Sequence, residues 1–318
     1  MAKGQITIVG MDAVGVSLTL AIKQARPDAL IVGVDGDVRR LRDAMKYGRL
    51  DRNESNLLSG VREASLIILN LPIGQLRETF QQLSTALREG AVVIALGPVN
   101  AAVASWAGEY LPDTVRYVSG HVMLHPHANE LAEPAADLFN GAVLCLTATA
   151  DTDEAAIKAG SDLAKIIGAR PYFMDVHEHD AMMAAVEGMP GVVSAALSMA
   201  AMHARAWPEL TQIAGAVFAH ATASTAHSAI DGEALVQNRA NVLRWLDAFL
   251  AELREVRQAV DSGDVQRLDQ WLNEAIDQRA SWLSGRPRAP WNDEAALPGP
   301  PTELKRFDPL MPGWGQKS

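Results

Sequence analysis

Gln5-Ile-Thr-Ile-Val-Gly10-Met-Asp12-Ala-Val-Gly15-Val-Ser-Leu-Thr-Leu-Ala-Ile-Lys-Gln24, followed after a short polar break by Leu30-Ile-Val-Gly-Val-Asp35, decides the fold of this chain. Gln5 to Val9 is a short apolar run of strand length, Gly10 to Gly15 is a tight turn, and Val16 to Gln24 carries helical periodicity. Leu30 to Val34 is a second strand that ends on an acid, Asp35. This is the layout of a dinucleotide-binding βαβ unit, in which a pyrophosphate rests on the helix N-terminus and an acid about 20 residues on accepts from ribose hydroxyls. One letter departs from the pattern. The middle glycine, which normally lets the backbone approach the pyrophosphate, is Asp12, so a carboxylate stands where two phosphates are expected.

Outward from this unit the alternation continues. Val38 to Tyr47 is a polar helix, Ala64 to Leu71 a buried strand closed by Pro72, Gly74 to Leu87 a helix, and Ala91 to Leu96 a strand. Ala101 to Tyr110 is helical, Val115 to Val118 and Ala142 to Leu146 are strands, Asp153 to Ile167 is an amphipathic helix, and Arg170 to Met174 is the last strand. Strands alternating with helices predict an α/β domain with a Rossmann-like, doubly wound, mostly parallel sheet over 1–175.

From His179 onward strand signals vanish. Val192 to Ala206, Glu209 to Ala219, Glu233 to Ser262 and Val265 to Leu283 space apolar residues three and four apart, which predicts an all-α helical domain over 176–285. Met182, Met183, Met189, Met199 and Met202 fall at core-like spacing there and are expected to pack. Beyond Gly285 the chain is rich in proline with Trp291, Phe307 and Trp314 between, which predicts an extended arm over 286–318.

Composition bounds the partners. A formal net charge of -10 and a pI near 5.3 argue against nucleic acid or an anionic membrane, both of which demand a basic face. Cys145 is the only cysteine, so no intramolecular disulfide forms and a cysteine-based metal site is excluded. No unbroken apolar run reaches the roughly 18 residues of a membrane span, and Met-Ala-Lys-Gly leads straight into a strand. The expectation is a cytoplasmic protein.

Particular stretches resemble the prephenate/arogenate dehydrogenase family. Gly10 to Leu18 is similar to that family's glycine turn and helix start, with Ser17 and Leu18 kept, and Glu63 to Ile73 resembles its acid-alanine, apolar strand, proline segment. Val115 to Met123 resembles the strand leading to its Gly-His-Pro loop, with Gly120 and His121 in place. Asp175 to Ala185, containing Glu178-His179-Asp180, resembles the start of its helical domain, and Asn238-Arg-Ala-Asn241 its later core helix.

The resemblance implies hydride transfer from a substrate ring to a nicotinamide, loss of the ring carboxylate, and a histidine on the Gly-His-Pro loop that handles the hydroxyl proton. By position that histidine is His121, whose imidazole has the right intrinsic pKa for proton exchange near neutrality. The cofactor is expected on Gly10, Asp12, Gly15, Asp35 and Pro72, beneath His121 in the crevice between the lobes. NAD is favoured over NADP because Asp35 accepts from a ribose 2′-hydroxyl and repels a 2′-phosphate. Asp12 weighs against tight binding of either. Arg39 and Arg40 read as a solvated helix face, with a phosphate contact as the alternative. The resemblance also implies a homodimer through the helical domain and a small-molecule substrate.

Other departures bear on the substrate. The family's Asp-x-x-Ser-x-Lys stretch is Ala95-Leu-Gly-Pro-Val-Asn100 here, its Ser-His-Leu-Pro-His run is Glu187-Gly-Met-Pro-Gly191, and its Trp-Arg-Asp-Ile stretch aligns with Asp231-Gly-Glu-Ala234. A dianionic substrate would meet carboxylates where it needs a guanidinium. The expected substrate is therefore smaller or less anionic than prephenate. The alternative is a catalytically inactive relative that acts as a binding or regulatory dimer. His121, His125, His127, His177 and His179 are dense enough to raise a metal site, yet no convergent ligand set is legible, and none is expected.

Overall fold

The computed structural model describes residues 4–47, 49–124, 133–149, 152–226 and 231–285. The arm expected over 286–318, and His125 and His127, lie outside the described residues. The chain divides into two compact units, the first running through His179 and the second opening at Asp180.

In the first unit the strands are β1 (Gln5–Val9), β2 (Leu30–Val34), β3 (Arg52–Glu54), β4 (Ala64–Leu69), β5 (Val92–Leu96), β6 (Arg116–Met123), β7 (Val143–Ala148) and β8 (Arg170–Asp175). The helices between them are α1 (Ala13–Ala25), α2 (Val38–Lys46), α3 (Leu57–Val61), α4 (Ile73–Leu83), α5 (Ala101–Tyr110) and α6 (Glu154–Ile166). One sheet of eight strands results, in the order β3-β2-β1-β4-β5-β6-β7-β8. The first six are parallel, β6 and β7 pair antiparallel, and β8 runs parallel to β7. This is the Rossmann-like α/β sheet that the alternation of elements predicts.

Strands with helices on both faces are buried on both faces, which is why β4 reads Ala-Ser-Leu-Ile-Ile-Leu and β5 Val-Val-Ile-Ala-Leu without polar alternation. Ile8, Leu18, Ile22, Ile31, Ile68 and Ile94 form the centre of one core with Phe139, Leu144 and Leu163. Two short elements, β3 and α3, escape the sequence reading. Arg-Asn-Glu has no apolar letter; its pairing with Val32 to Val34 makes it an edge strand. β6 also extends five residues beyond the strand expected to end at Val118.

The second unit is helical. α7 (Val176–Met183) starts in the first unit and runs through a π-helical turn, Ala184–Gly188, into α8 (Met189–Met202). α9 (Trp207–Leu210), α10 (Ala216–Thr222), α11 (Gly232–Gln237), α12 (Arg239–Ser262) and α13 (Val265–Gly285) follow. The helix expected over Glu209 to Ala219 is thus two short pieces, and that over Glu233 to Ser262 is interrupted at Asn238, whose Nδ2 donates to the Asp180 carbonyl at 2.7 Å instead of sitting inside a helix. α12 and α13 form a hairpin turned by Gly263 at φ +69, with Trp271 donating to Glu252 at 2.9 Å.

The methionines divide. Met183 and Met189 are buried, whereas Met182, Met199 and Met202 are exposed, contrary to the packing expected of all five. Among the described residues, all but three of the exposed large hydrophobic side chains belong to the second unit, the exceptions being Leu30, Val38 and Met45. On α12 the exposed set is Leu243, Leu250, Leu253 and Val260; on α13 it is Val265, Trp271, Leu272, Ile276, Trp282 and Leu283. Steps of seven, three or four, and seven residues place the aliphatic members of each set on one stripe of its helix, which Trp271 and Trp282 widen on α13. The continuous helix 176–202 also has the length and apolarity of a membrane span, with mean hydropathy 1.3, although no unbroken apolar run marks it in the sequence.

Candidate functional site

The order of strands reverses on either side of β1, between β2 and β4, so the crevice at the carboxyl ends of β1 and β4 is the topological switch point where open α/β sheets bind ligands. Gly10 leaves β1 there at φ +96. A Cβ on Gly10 would lie 1.9 Å from the Asn70 carbonyl oxygen, and one on Gly15 would lie 1.9 Å from the Gly10 carbonyl oxygen. Both obstacles are backbone, so neither position can carry a side chain without moving a strand end. The glycine pattern legible in the sequence therefore has a steric cause at both ends of the turn.

Asp12, between them, is the N-cap of α1. Its Oδ1 accepts from the backbone N–H groups of Val14 and Gly15, each at 3.0 Å, and from Asn70 Nδ2 at 2.8 Å. The carboxylate thus occupies donors that an incoming phosphate would use, and three hydrogen bonds delocalise its charge. Asn70 makes a second bond, to the Gly10 carbonyl at 3.3 Å, and so pins the turn to the end of β4. Sequence reasoning missed Asn70. The available signal was a lone polar letter between Leu69 and Leu71, two residues before Pro72.

Asp35 ends β2 and is buried. Its Oδ2 accepts from the Met11 N–H at 2.9 Å and its Oδ1 from the Asp37 N–H at 2.8 Å, with an Arg40 guanidinium nitrogen 3.7 Å from Oδ2. Each oxygen has a second lone pair, so the carboxylate retains acceptor capacity for ribose hydroxyls. Arg40 is therefore turned to Asp35. Arg39 is paired with Asp37 on an exposed face as the sequence suggests, and the Asp37 hydrogen bond holds its guanidinium further above the usual range. Pro72 precedes α4, whose N-terminus has no side-chain cap.

His121 lies within β6, a correction to its placement on a loop, and is buried. It pairs with Cys145 of β7, one residue beyond the Leu96–Gly120 pair that closes β5 on β6, and thus at the same edge of the sheet as the glycine turn. Three strand spacings, about 14 Å, separate β6 from β1. His121 Nδ1 is 3.2 Å from His179 Nε2, with the two rings edge to face at 5.3 Å between centroids. His179, in α7, is fully buried. In the sequence His179 stands in the Glu178-His179-Asp180 stretch and joins His121 only as one of several histidines dense enough to raise a metal site.

Tyr117 and Ser119 precede His121 on the same side of β6, by the two-residue period of a strand. Tyr117 Oη and Ser119 Oγ are 2.6 Å apart, and burial pushes the Tyr117 hydroxyl well above the ordinary phenol range. Among the described residues no group of three or more His, Cys, Asp or Glu side chains converges as a metal site. A cavity of about 300 Å³ lined by Ile6, Ile22, Arg26, Leu66 and Ile166 opens at the opposite edge of the sheet, away from these residues.

The three stretches that depart at the substrate side have structural explanations. Asn100 is buried at the start of α5, Glu187 to Gly191 is the π turn running into α8, and Asp231 caps α11 by accepting from the Ala234 N–H at 2.6 Å.

A mostly parallel sheet with a glycine turn, a terminal acid on β2 and a histidine at the same edge points to a nucleotide-binding domain of the dehydrogenase class. Family models agree. Residues 18–173 match the nucleotide-binding domain of prephenate dehydrogenase, and residues 175–274 match its dimerization domain. The chain belongs to the prephenate/arogenate dehydrogenase family. It is 27% identical over 280 residues to the prephenate dehydrogenase of Bacillus subtilis, covering 87% of this chain and 76% of that one. It is 25% identical over 279 residues to the cyclohexadienyl dehydrogenase of Zymomonas mobilis, covering 86% and 94%. In structure it resembles prephenate dehydrogenase of A. aeolicus, crystallised with hydroxyphenyl propionate and NAD+, at a TM-score of 0.76 and 21% identity over 88% of this chain and 99% of that one. The arogenate dehydrogenase of Synechocystis aligns at 0.67 and 20% over 87% and 99%.

Proposed function

We propose that this protein is a NAD-dependent oxidoreductase acting on a cyclohexadienyl acid related to prephenate, as in tyrosine biosynthesis. The observation that carries the reading is the common edge shared by the Gly10–Gly15 turn, Asp35 and His121, in a chain whose two halves match the two domains of the family. Gly10 and Gly15 hold the turn open for a dinucleotide, Asp35 takes the adenosine ribose, and Pro72 starts the helix across the switch point. The dinucleotide, when bound, supplies the hydride acceptor. His121 takes the proton of the substrate hydroxyl and returns it to water. Asp35 favours NAD over NADP, because a 2′-phosphate would face a buried carboxylate.

The departures at Ala95 to Asn100, Glu187 to Gly191 and Asp231 to Ala234 remove cationic and hydrogen-bonding groups that a dianion needs. The substrate proposed is accordingly one with less negative charge than prephenate, and arogenate, with its amino group, is the first to assay. The relatives support an active enzyme; no observation favours the inactive alternative. Turnover of prephenate and arogenate with NAD and with NADP, followed by the absorbance of the reduced nicotinamide, tests the proposal. Arogenate oxidation with NAD is expected to dominate, and an absence of turnover on any ring acid would overturn it.

The same reading makes the protein a cytoplasmic homodimer. Its support is the dimerization-domain match and the apolar stripes of α12 and α13, which one copy leaves in water. A second copy laid along those stripes would bury them without a lipid phase.

A further inference from the structure

We infer that His179 is the positioning residue that fixes the tautomer of His121. The inference rests on the reading of His121 as the acid/base group, although its most direct test does not. Two buried imidazoles meet through His121 Nδ1 and His179 Nε2 at 3.2 Å, a hydrogen-bond distance, and with rings edge to face. A bond between two neutral imidazole nitrogens needs one proton, so one ring donates and the other accepts.

Two arrangements satisfy it. In the first, His121 carries its proton on Nδ1 and donates to His179 Nε2, which places the basic lone pair of His121 on Nε2. In the second, His179 donates from Nε2 and the proton of His121 sits on Nε2, which leaves that nitrogen unable to take a proton. Only the first makes His121 a base at the nitrogen opposite the contact. It also gives the imidazolium, once formed, an acceptor on Nδ1 that a neutral His179 supplies without adding a charge. His179 is fully buried and rises from the first turns of α7, directly after β8, where the backbone N–H groups of His177 and Glu178 donate to Asp175 Oδ1 at 2.8 and 3.3 Å. The helix start from which the ring projects is thereby fixed. The geometry resembles the arrangement by which an orienting group selects the tautomer of a general base, with an imidazole in place of a carboxylate. The role is one of position, exerted through the contact with His121.

The direct experiment is a nitrogen-15 correlation spectrum of the imidazoles in the full-length protein labelled at histidine, with the two rings assigned by their loss in His121→Asn and His179→Gln. The expected result is an Nδ1–H tautomer for both rings at neutral pH. An Nε2–H tautomer for His121 overturns the inference, whether or not the protein proves to be a dehydrogenase. The kinetic companion uses His179→Gln, whose amide oxygen can accept from His121 Nδ1, and His179→Phe, which fills similar volume and cannot accept. His179→Gln should keep kcat within about threefold, and His179→Phe should lose about 100-fold in kcat with KM changed little. Equal kcat in the Phe variant and the native protein contradicts the role. Should the Phe variant fail to fold, the spectrum of the native protein decides the matter by itself.

Discussion

Asn70 donates to Asp12 Oδ1 at 2.8 Å, joining the end of β4 to the cap of α1 and closing the glycine turn over the carboxylate. The same oxygen takes the two N–H groups that a pyrophosphate would otherwise find at the helix start. On the proposed reading the turn is a self-capped phosphate site, in which ligand and side chain compete for donors.

Replacing Asp12 by glycine should consequently tighten NAD binding by roughly 3- to 10-fold, the equivalent of about 1 kcal/mol of relieved like charge and restored donors. Its cost in stability should be only a few tenths of a kcal/mol, because glycine is itself an adequate N-cap, whereas Asp12→Ala should cost about 1 kcal/mol. Calorimetric titration with NAD and urea melts of both variants check the pair.

Asp35→Asn keeps one acceptor oxygen but removes the negative charge proposed to meet the ribose, and it releases Arg40 from its partner. NAD should bind about 10-fold more weakly, and its advantage over NADP should shrink. Dissociation constants for both dinucleotides, measured on one preparation, give the ratio.

His121→Asn should lower kcat by about 10² to 10⁴ while leaving the NAD dissociation constant unchanged, since the residue stands about three strand spacings from the glycine turn. A parallel loss of cofactor affinity would place it in the binding site instead.

Much of this was legible because it follows from local rules. The strands of a doubly wound sheet are apolar on both sides, so β1, β2, β4 and β5 stand out as unbroken runs, and Gly10 and Gly15 are forced by backbone contacts that any such turn shares. The remainder depends on long-range partners. Asp12 is seen as a cap only once Val14, Gly15 and Asn70 are placed around it. His179 lies 58 residues from His121, and nothing local connects the two. His121 itself reads as a loop residue through its resemblance to the family's Gly-His-Pro loop, yet pairing with Cys145 carries the strand past it. The interruption at Asn238 likewise follows from a bond to Asp180, which no periodicity in α11 or α12 foretells.

Asp51 supplies an acid-sensitive tie. Burial alone would raise its pKa, but the Ile31 N–H at 2.7 Å and the Lys23 ammonium at 2.8 Å outweigh that and hold the carboxyl below its ordinary value. A depressed pKa in the folded state contributes stability that is present above the unfolded value of about 3.9 and is lost as pH falls through the lower folded value. Asp51→Asn should accordingly be less stable than the native protein at pH 7, and the difference should shrink on acidification below about pH 4. Urea melts at the two pH values measure it.

The stripe Leu243, Leu250, Leu253 and Val260 of α12 offers a test of assembly. Leu250→Glu places a charge in the middle of the proposed seam and should shift sedimentation from dimer to monomer at micromolar concentration, with a loss of melting temperature. A dimer that survives the substitution would move the seam to another face.

The central claim is that the first unit receives NAD on the Gly10–Gly15 turn, and thermal melting of the native protein with and without dinucleotide tests it most directly. At one hundred times its dissociation constant NAD should stabilise by about 2.7 kcal/mol, with NADP matching it only at higher concentration and Asp12→Gly responding at lower concentration of NAD. Melting that responds to neither dinucleotide, in the native protein and in Asp12→Gly alike, would contradict the account.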